Sequence, residues 1–444
     1  MQPNPSVSHL PLSPAITRAS VKSVSWWNHA NQPLQDNQTV RIEICTGQTF
    51  QTWEGFGGAA SELGVQAIDR LPASARKRFF DAVFGANGLN FSWIRLPVGA
   101  SDFALSAYSF SETPEDYNLA DFSIDRDRKG LIPYIRAAQT ANPALRIHAS
   151  PWSPPGWMKK SGRMDGVAQS ELRDEPRVLR AYAAYLRAFI QAYAKEGLRI
   201  DRLMVQNEMD SPAPFPGCQW TTELFVRFHL EYLKPEFAAH QIDTEVWAGT
   251  FRTISGLQSH ACFQNPDFRA FVRGAAFQYS FPKPIDELQI LYPGTRIMHT
   301  ETVCHGGANT EDEAAGQFED FLGYAAAGAS VFTYWNVVLD EHAASTWGWK
   351  QNSICTANAA RQELLLNADY PVFQLLGQNL QPGAIRVRCF SQLLSTVCFR
   401  NPDGRLCLLL RNLEEARQAE VTLDGNTRLV NLPGHALCAV QLDV

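Results

Sequence analysis

None of the nine cysteines forms a Cys-x-x-Cys pair, and their number is odd. Neither a zinc knuckle nor a disulfide framework is suggested, and Cys398, Cys407 and Cys438 sit in apolar runs as small hydrophobes. Long hydrophobic runs are missing too: no stretch approaches the roughly 18–20 apolar residues that a membrane helix needs. No charged n-region followed by an apolar h-region opens the chain, so no signal peptide is visible and a cytoplasmic, reducing location is expected. Positive charge is in the minority. With 39 Lys and Arg against 45 Asp and Glu the net charge is −6, and no basic stripe occurs. Nucleic acid and membrane surfaces are therefore not expected as partners. No Gly-x-Gly-x-x-Gly follows any strand-like run, which counts against a doubly wound dinucleotide-binding sheet.

Aromatic residues are abundant instead, with 11 Trp, 12 Tyr and 26 Phe among 444 residues. Several Trp stand beside Gly, Pro or polar residues. A single Trp is usually a core residue with one N–H to satisfy, but such placement also suits stacking on sugar rings. The most informative stretch is Arg202 to Glu208. An apolar run ends in Gln206-Asn207-Glu208, and a Pro-rich segment through Gly217 follows. A buried parallel strand that delivers polar groups to the rim of a sheet reads in this way. Apolar walls disfavour the charge on such a carboxylate and raise its pKa, as a general acid near neutral pH requires.

That unit recurs. Strand-like runs end near Gly57, Pro97, Ser150, Gln206, Thr250, Tyr279, His299 and Trp335, and helical candidates lie between most of them. Arg177 to Glu196 has apolar residues at helical spacing and Gly197 as a stop; Glu223 to Leu233 and Glu311 to Ala327 read similarly. Eight such units over about 280 residues predict a (β/α)8 TIM barrel. Beyond Asp369 the pattern changes to short alternating runs separated by turns such as Asn401-Pro402-Asp403-Gly404, as in a small antiparallel sandwich. Strands before Trp53 have no place in the barrel and are expected to complete that sandwich. The expected division is thus residues 1–52 as an arm with strands joining the side domain, 53–368 as the barrel, and 369–444 as the C-terminal β-sandwich.

Active sites of such barrels lie at the C-terminal strand ends. The second end offers Arg95 and Asp102, the third Trp152, and the fourth Asn207 and Glu208. The sixth offers Gln278 and Tyr279, the seventh His299 and Glu301, and the eighth Trp335 and Asn336. One exposed glutamate is usually a loop ion pair. Two, on facing strands and flanked by amides and indoles, point to paired-carboxylate chemistry on a glycosidic bond. About 5–5.5 Å between them suits retention and about 6.5–9.5 Å inversion, and spacing along the chain leaves that open.

Several of these motifs occur in a specific order. Gly55-Phe56-Gly57-Gly58, Arg95-Leu96-Pro97 with Ser101-Asp102-Phe103, and Ala149-Ser150-Pro151-Trp152 through Met158-Lys159 are followed by Gln206-Asn207-Glu208, Thr300-Glu301-Thr302 and Tyr334-Trp335-Asn336. From about Trp53 to Arg386 the chain resembles glycoside hydrolase family 30, which includes glucosylceramidase-type β-glucosidases and β-1,6-glucanases. The resemblance implies a barrel with a side β-domain built from both termini, and a retaining, cofactor-free and metal-free hydrolysis. By position it implies Glu208 as acid/base, Glu301 as nucleophile, Asn207 on the sugar 2-OH and Tyr279 on Glu301. Asp102 and Trp152 would hold glycone hydroxyls, with Trp335 as platform beside Asn336, across a Trp335–Asn336 peptide that is often cis in the related clan. The implied substrate is a β-glycoside or short oligosaccharide, cleaved by an exo-acting β-glucosidase. A β-xylosidase, β-fucosidase, β-1,6-glucanase or galactanase specificity is the alternative within the family. Phe277-Gln278-Tyr279 stands where the glucosylceramidases carry His-Trp-Tyr, a departure that touches sugar recognition.

Two other classes compete. His299, Glu301, Cys304 and His305 could mark a metal-dependent barrel hydrolase, but no paired His or acidic motif accompanies them on the rim. A non-catalytic carbohydrate-binding protein would not need both glutamates and Asn207.

Overall fold

The computed structural model describes residues 16–26, 39–252, 256–279, 282–303, 305–393 and 395–444. Residues 1–15 of the expected arm, Trp27, Cys304 and Leu394 lie outside these. Contacts divide the chain into two units: Trp53–Gln378, and the segments through Thr52 and from Asn379 onward. The second boundary falls ten residues beyond the expected 368/369, because helix Asp369–Asn379 belongs almost wholly to the first unit.

That first unit is a parallel eight-stranded barrel. Its strands are β1 (Gly55–Ala59), β2 (Trp93–Pro97), β3 (Arg146–Ser150), β4 (Arg202–Met204), β5 (Glu245–Arg252), β6 (Ala275–Gln278), β7 (Ile297–Glu301) and β8 (Val331–Asn336). They pair in sequence order, and β8 pairs β1. Closure between β7 and β8 runs through the Ile297–Ala329 bridge and a Ser330 N–H to Ile297 carbonyl bond of 2.9 Å. The strands are buried almost throughout, which is why they read as near-continuous apolar runs. Trp93, Met204, Trp247, Ala276, Met298 and Val331 fill the interior, so the barrel is a packed core.

The connecting helices carry the stop signals that their sequences suggest. Helix Pro176–Lys195 begins on proline and ends at Gly197, whose φ is +76°. There the N–H groups of Gly197 and Leu198 cap the carbonyls of Ala194 and Tyr193 at 3.0 Å each, a Schellman closure. Helix Glu311–Ala326 starts with a Thr310/Glu313 capping box. The predicted helix 223–233 departs from regularity: Thr222–Arg227 is α-helical and Phe228–Leu233 is a π segment. Pro235 follows at once and supplies no N–H to the α ladder.

The other unit is one continuous eight-stranded sheet. Arg18–Val24 pairs antiparallel with Ala436–Asp443, and Val40–Thr52 pairs antiparallel with Ile385–Ser391 and parallel with Arg417–Leu423. Both ends of the chain therefore build the side domain. Its inward residues, among them Ile42, Ile44, Leu408, Val421 and Val440, share one core. Among the described residues no helix is long and apolar enough to cross a membrane.

Candidate active site

The C-terminal end of β4 is stitched to both neighbours. Asn207 donates its N–H to the Pro151 carbonyl (2.7 Å), and the N–H of Thr250, on β5, donates to the Gln206 carbonyl (2.7 Å). Glu208 donates its N–H to Thr250 Oγ1 (3.1 Å) and adopts φ +47°, a left-handed conformation that turns the chain out of the strand. Gln206 uses Nε2 on the Trp152 carbonyl (2.6 Å) and receives Trp220 Nε1–H (3.2 Å). The polar groups behind Glu208 are thus committed, and its backbone is held from two sides.

Arg95, delivered by β2, occupies the centre. Its guanidinium is fully buried. One arm forms an ion pair with Glu301 Oε2; the other donates to Asn207 Oδ1 (2.6 Å) and Ser150 Oγ (3.2 Å). Its carbon lies 4.5 Å from the Trp152 ring centre and 5.5 Å from that of Trp335, within cation–π range of both indoles. One side chain therefore ties together the ends of β2, β3, β4 and β7.

Glu208 has neutral partners instead. Gln278 Nε2 donates to its Oε1 (2.8 Å), and the Tyr279 hydroxyl donates to the same oxygen. This corrects the expectation that Tyr279 serves Glu301, which receives from Tyr279 only the backbone N–H, on its own carbonyl (2.9 Å). The reason is local. β6 slips register against β7 between Phe277 and Gln278, and Tyr279 has φ +69°, so its ring leaves the direction that strand alternation gives it.

The electrostatics follow from burial. Desolvation raises both Glu208 and Glu301; Arg95 pulls Glu301 back while the charge of Glu208 raises it further, and the Tyr279 hydrogen bond and Arg252 pull Glu208 back. Asp102 is also buried and is raised well above the usual range, first by burial and then by the charges of Glu301 and Glu208. Its Oδ1 has no hydrogen-bond partner. Arg252, the other nearby guanidinium, is already paired with Asp210 (3.1 Å). The site thus holds more carboxyl groups than cations to balance them.

Trp152 and Trp335 stack at 5.0 Å with 27° between their planes, and Phe103 meets Trp335 edge-on at 6.3 Å. Trp335 Nε1 and Asn336 Oδ1 are buried without partners, while Asn336 Nδ2 donates to Gln351 (2.6 Å). Unfilled hydrogen-bonding capacity beside an indole platform suits a hydroxyl-rich ligand. Among the described residues the cis peptide lies at Gly249–Thr250, not at Trp335–Asn336. His299, weighed above as a metal ligand, stacks on Phe332 at 4.0 Å, and its Nδ1 accepts the Thr333 N–H (3.3 Å).

All eight residues singled out in the sequence stand at these strand ends or the loops just beyond them. Sequence reasoning set Arg95, Gln278, Ser150 and Thr250 at the strand ends, but gave Arg95, Ser150 and Thr250 no role and did not pair Gln278 with Glu208. Arg95 had a usable signal: an arginine inside the apolar run Trp93-Ile94-Arg95-Leu96-Pro97 must be paired if that strand is buried. Thr250 and Ser150 carried none, because their roles depend on neighbours distant in the chain.

Comparisons with known proteins bear on the family and the fold. A family model described as the Glycosyl hydrolase family 30 TIM-barrel domain matches residues 53–350. The lysosomal acid glucosylceramidase of Mus musculus is 26% identical over 413 residues, covering 85% of this chain and 79% of that protein. Among solved structures, SrfJ from Salmonella typhimurium superposes with a TM-score of 0.84 at 24% identity, over 92% of this chain and 93% of the other. The endo-β1,6-glucanase BT3312 gives 0.83 at 20% identity, over 96% and 100%. At these identities the two structures speak for the fold alone.

Proposed function

The chain belongs to glycosyl hydrolase family 30, a family of retaining glycosidases, and we propose that it is an exo-acting β-glucosidase working by double displacement with Glu301 as nucleophile and Glu208 as acid/base. The observation that carries the roles is the asymmetry of partners. Glu301 bears the guanidinium of Arg95, which favours its charged form. Burial and the charge of Glu208 push Glu301 up to about 7, but Glu301 alone holds a guanidinium in direct contact; Glu208 has neutral donors on Oε1, and we therefore assign the proton that the buried pair retains to Glu208.

In the first step a Glu301 oxygen bonds to the anomeric carbon as the glycosidic C–O bond breaks, and the leaving oxygen takes the Glu208 proton. In the second step water adds to the same carbon, gives a proton to Glu208 and displaces Glu301, so configuration is retained. Asn207, fixed by Arg95 and Pro151, is the ligand for the 2-OH. Asp102, with an unpartnered buried oxygen, accepts hydroxyls of a terminal glycone, and Trp335 lies against the ring. The glucosylceramidase relative supports a glucose glycone.

A panel of 4-nitrophenyl β-glycosides tests this directly. The expected result is turnover of the glucoside above the xyloside, fucoside and galactoside, its abolition in Glu301→Ala, and azide rescue of Glu208→Ala with a β-glucosyl azide product. Turnover persisting in Glu301→Ala ends the nucleophile assignment, and a different preferred sugar ends the glucosidase one.

A further inference from the structure

Three loops close around the indole platform in a way that the reaction itself does not require. The loop after β8 is tied to the loop after β2: Ser345 Oγ donates to the Asp102 carbonyl (2.7 Å), and Thr346 Oγ1 to that of Ala104 (2.6 Å). From that β8 loop Trp349 meets Phe215, whose ring lies 5.0 Å away on the Pro-rich loop after β4. Both rings are half-buried and pack on the cluster formed by Phe103, Trp152 and Trp335. The β4 loop is itself anchored. Buried Lys159 donates to the carbonyls of Met164 (2.7 Å) and Gly217, Gly217 N–H reaches the Met164 carbonyl (3.1 Å), and Gly166 N–H reaches that of Pro214 (3.3 Å). A lysine without a carboxylate partner, spent on two carbonyls, is a costly way to fix a loop, and it fixes the segment that carries Phe215.

From this arrangement we infer that the Phe215–Trp349 contact is a specificity device that ends the site beyond one glycone residue. The inference rests on the reading of Asp102 as a glycone ligand. A sugar whose hydroxyls reach Asp102 abuts a wall built from the β2, β8 and β4 loops, with Phe215 and Trp349 as its aromatic closure. A second sugar on the non-reducing side would have to occupy the volume of these two rings. The substrate class is therefore a β-glycoside with a single terminal sugar, and internal cleavage of a chain is excluded by side chains that can be removed.

The test compares release of nitrophenol from 4-nitrophenyl β-glucoside and 4-nitrophenyl β-gentiobioside, with products separated by chromatography. Wild type is expected to act on the disaccharide glycoside only after removing its terminal glucose. In Phe215→Ala, and independently in Trp349→Ala on the facing loop, intact gentiobiose is expected as a product. The gentiobioside-to-glucoside ratio of kcat/KM should rise by about tenfold or more, the scale on which an apolar pocket discriminates. Trp349→Phe, which keeps an aromatic contact, is expected to keep the wild-type product pattern, and thermal melts establish that each variant is folded. Intact gentiobiose from wild type, or a ratio changed by less than about twofold in both folded alanine variants, overturns the inference while leaving the glycosidase reading in place. Absence of wild-type turnover on both substrates overturns the parent reading as well.

Discussion

The two ends of the barrel are built from the same materials and behave in opposite ways. At the N-terminal strand ends Arg202 is fully buried between Trp93 and Trp247, 4.5 and 4.4 Å from their ring centres. It pairs with Glu54 (2.5 Å) and Glu245 (3.1 Å), while Arg146 and Arg296 also reach Glu54 (2.9 and 3.2 Å). At the C-terminal ends Arg95 likewise sits against two indoles, with Glu301, Glu208 and Asp102 around it. The ratio differs. Three guanidinium groups meet three carboxylates below (Glu54, Glu245 and Asp201), so although burial works to raise Glu54 and Glu245, the cations and hydrogen bonds leave both below their ordinary values. Above, one guanidinium serves carboxyls that outnumber it, and all are raised. One end is a neutralised plug; the other stores unmet charge where a ligand binds.

Substitutions can break this contrast, and the largest effect is expected at the upper end. Glu301→Ala should lower kcat on an aryl β-glycoside by about 10⁴-fold or more, equivalent to about 5 kcal/mol, with little loss of stability. A steady-state assay beside a thermal melt checks both halves. Next comes Arg202→Leu, which leaves Glu54 and Glu245 short of a partner and should cost about 3 kcal/mol of stability, the low end for a broken buried pair because Arg146 and Arg296 remain. Its kcat should stay within about twofold. A folded Arg202→Leu enzyme with a hundredfold lower kcat would show that the lower end is not merely structural.

A third effect is smaller and concerns pH. The raised carboxyls of the upper end contribute stability that is full below the unfolded carboxylate value of about 4.3 and is lost as pH rises through their higher folded values. The depressed Glu54 and Glu245 act in the other direction, with stability present above that value and lost as pH falls through their lower folded ones. Removing charge with Glu208→Gln and Glu301→Gln together should therefore raise Tm by about 2 °C or more at pH 8 and change it little at pH 4.5. Equal shifts at both pH values would contradict the assignment of unmet charge to the site.

Much of this was readable in the chain because strand ends were. Most barrel strands are apolar runs that stop at or shortly before polar residues, so Glu208 and Glu301 could be placed on the rim from that pattern. What escaped was set by three-dimensional neighbours. The β-domain strands are hydrogen-bonded in one continuous order, in which the 13-residue strand Val40–Thr52 pairs on both edges, once in parallel, with register shifts along Ile385–Ser391. Alternation of side chains does not encode a partner. Tyr279 escaped for a related reason: its left-handed backbone and the slip at Phe277 and Gln278 redirect a ring that an ideal strand would aim elsewhere.

Tyr279 also gives the finest test of the contrast, since its hydroxyl tells the two upper carboxyls apart. The hydrogen bond from Tyr279 favours the charged form of Glu208 and lowers its pKa from where burial alone would hold it. Tyr279→Phe removes that bond, so Glu208 should keep its proton to higher pH. If Glu208 is the acid, the alkaline limb of the kcat/KM profile then moves upward and the acidic limb, which reports ionisation of Glu301, stays in place. The rate at the optimum should fall by only about tenfold, since neither carboxyl is lost. Were Tyr279 the partner of Glu301, the same substitution would leave Glu301 protonated to higher pH and move the acidic limb instead. Which of the two limbs moves thus decides whether the neutral partners at this end belong to the proton donor, as the bonds from Gln278 and Tyr279 to one oxygen of Glu208 require.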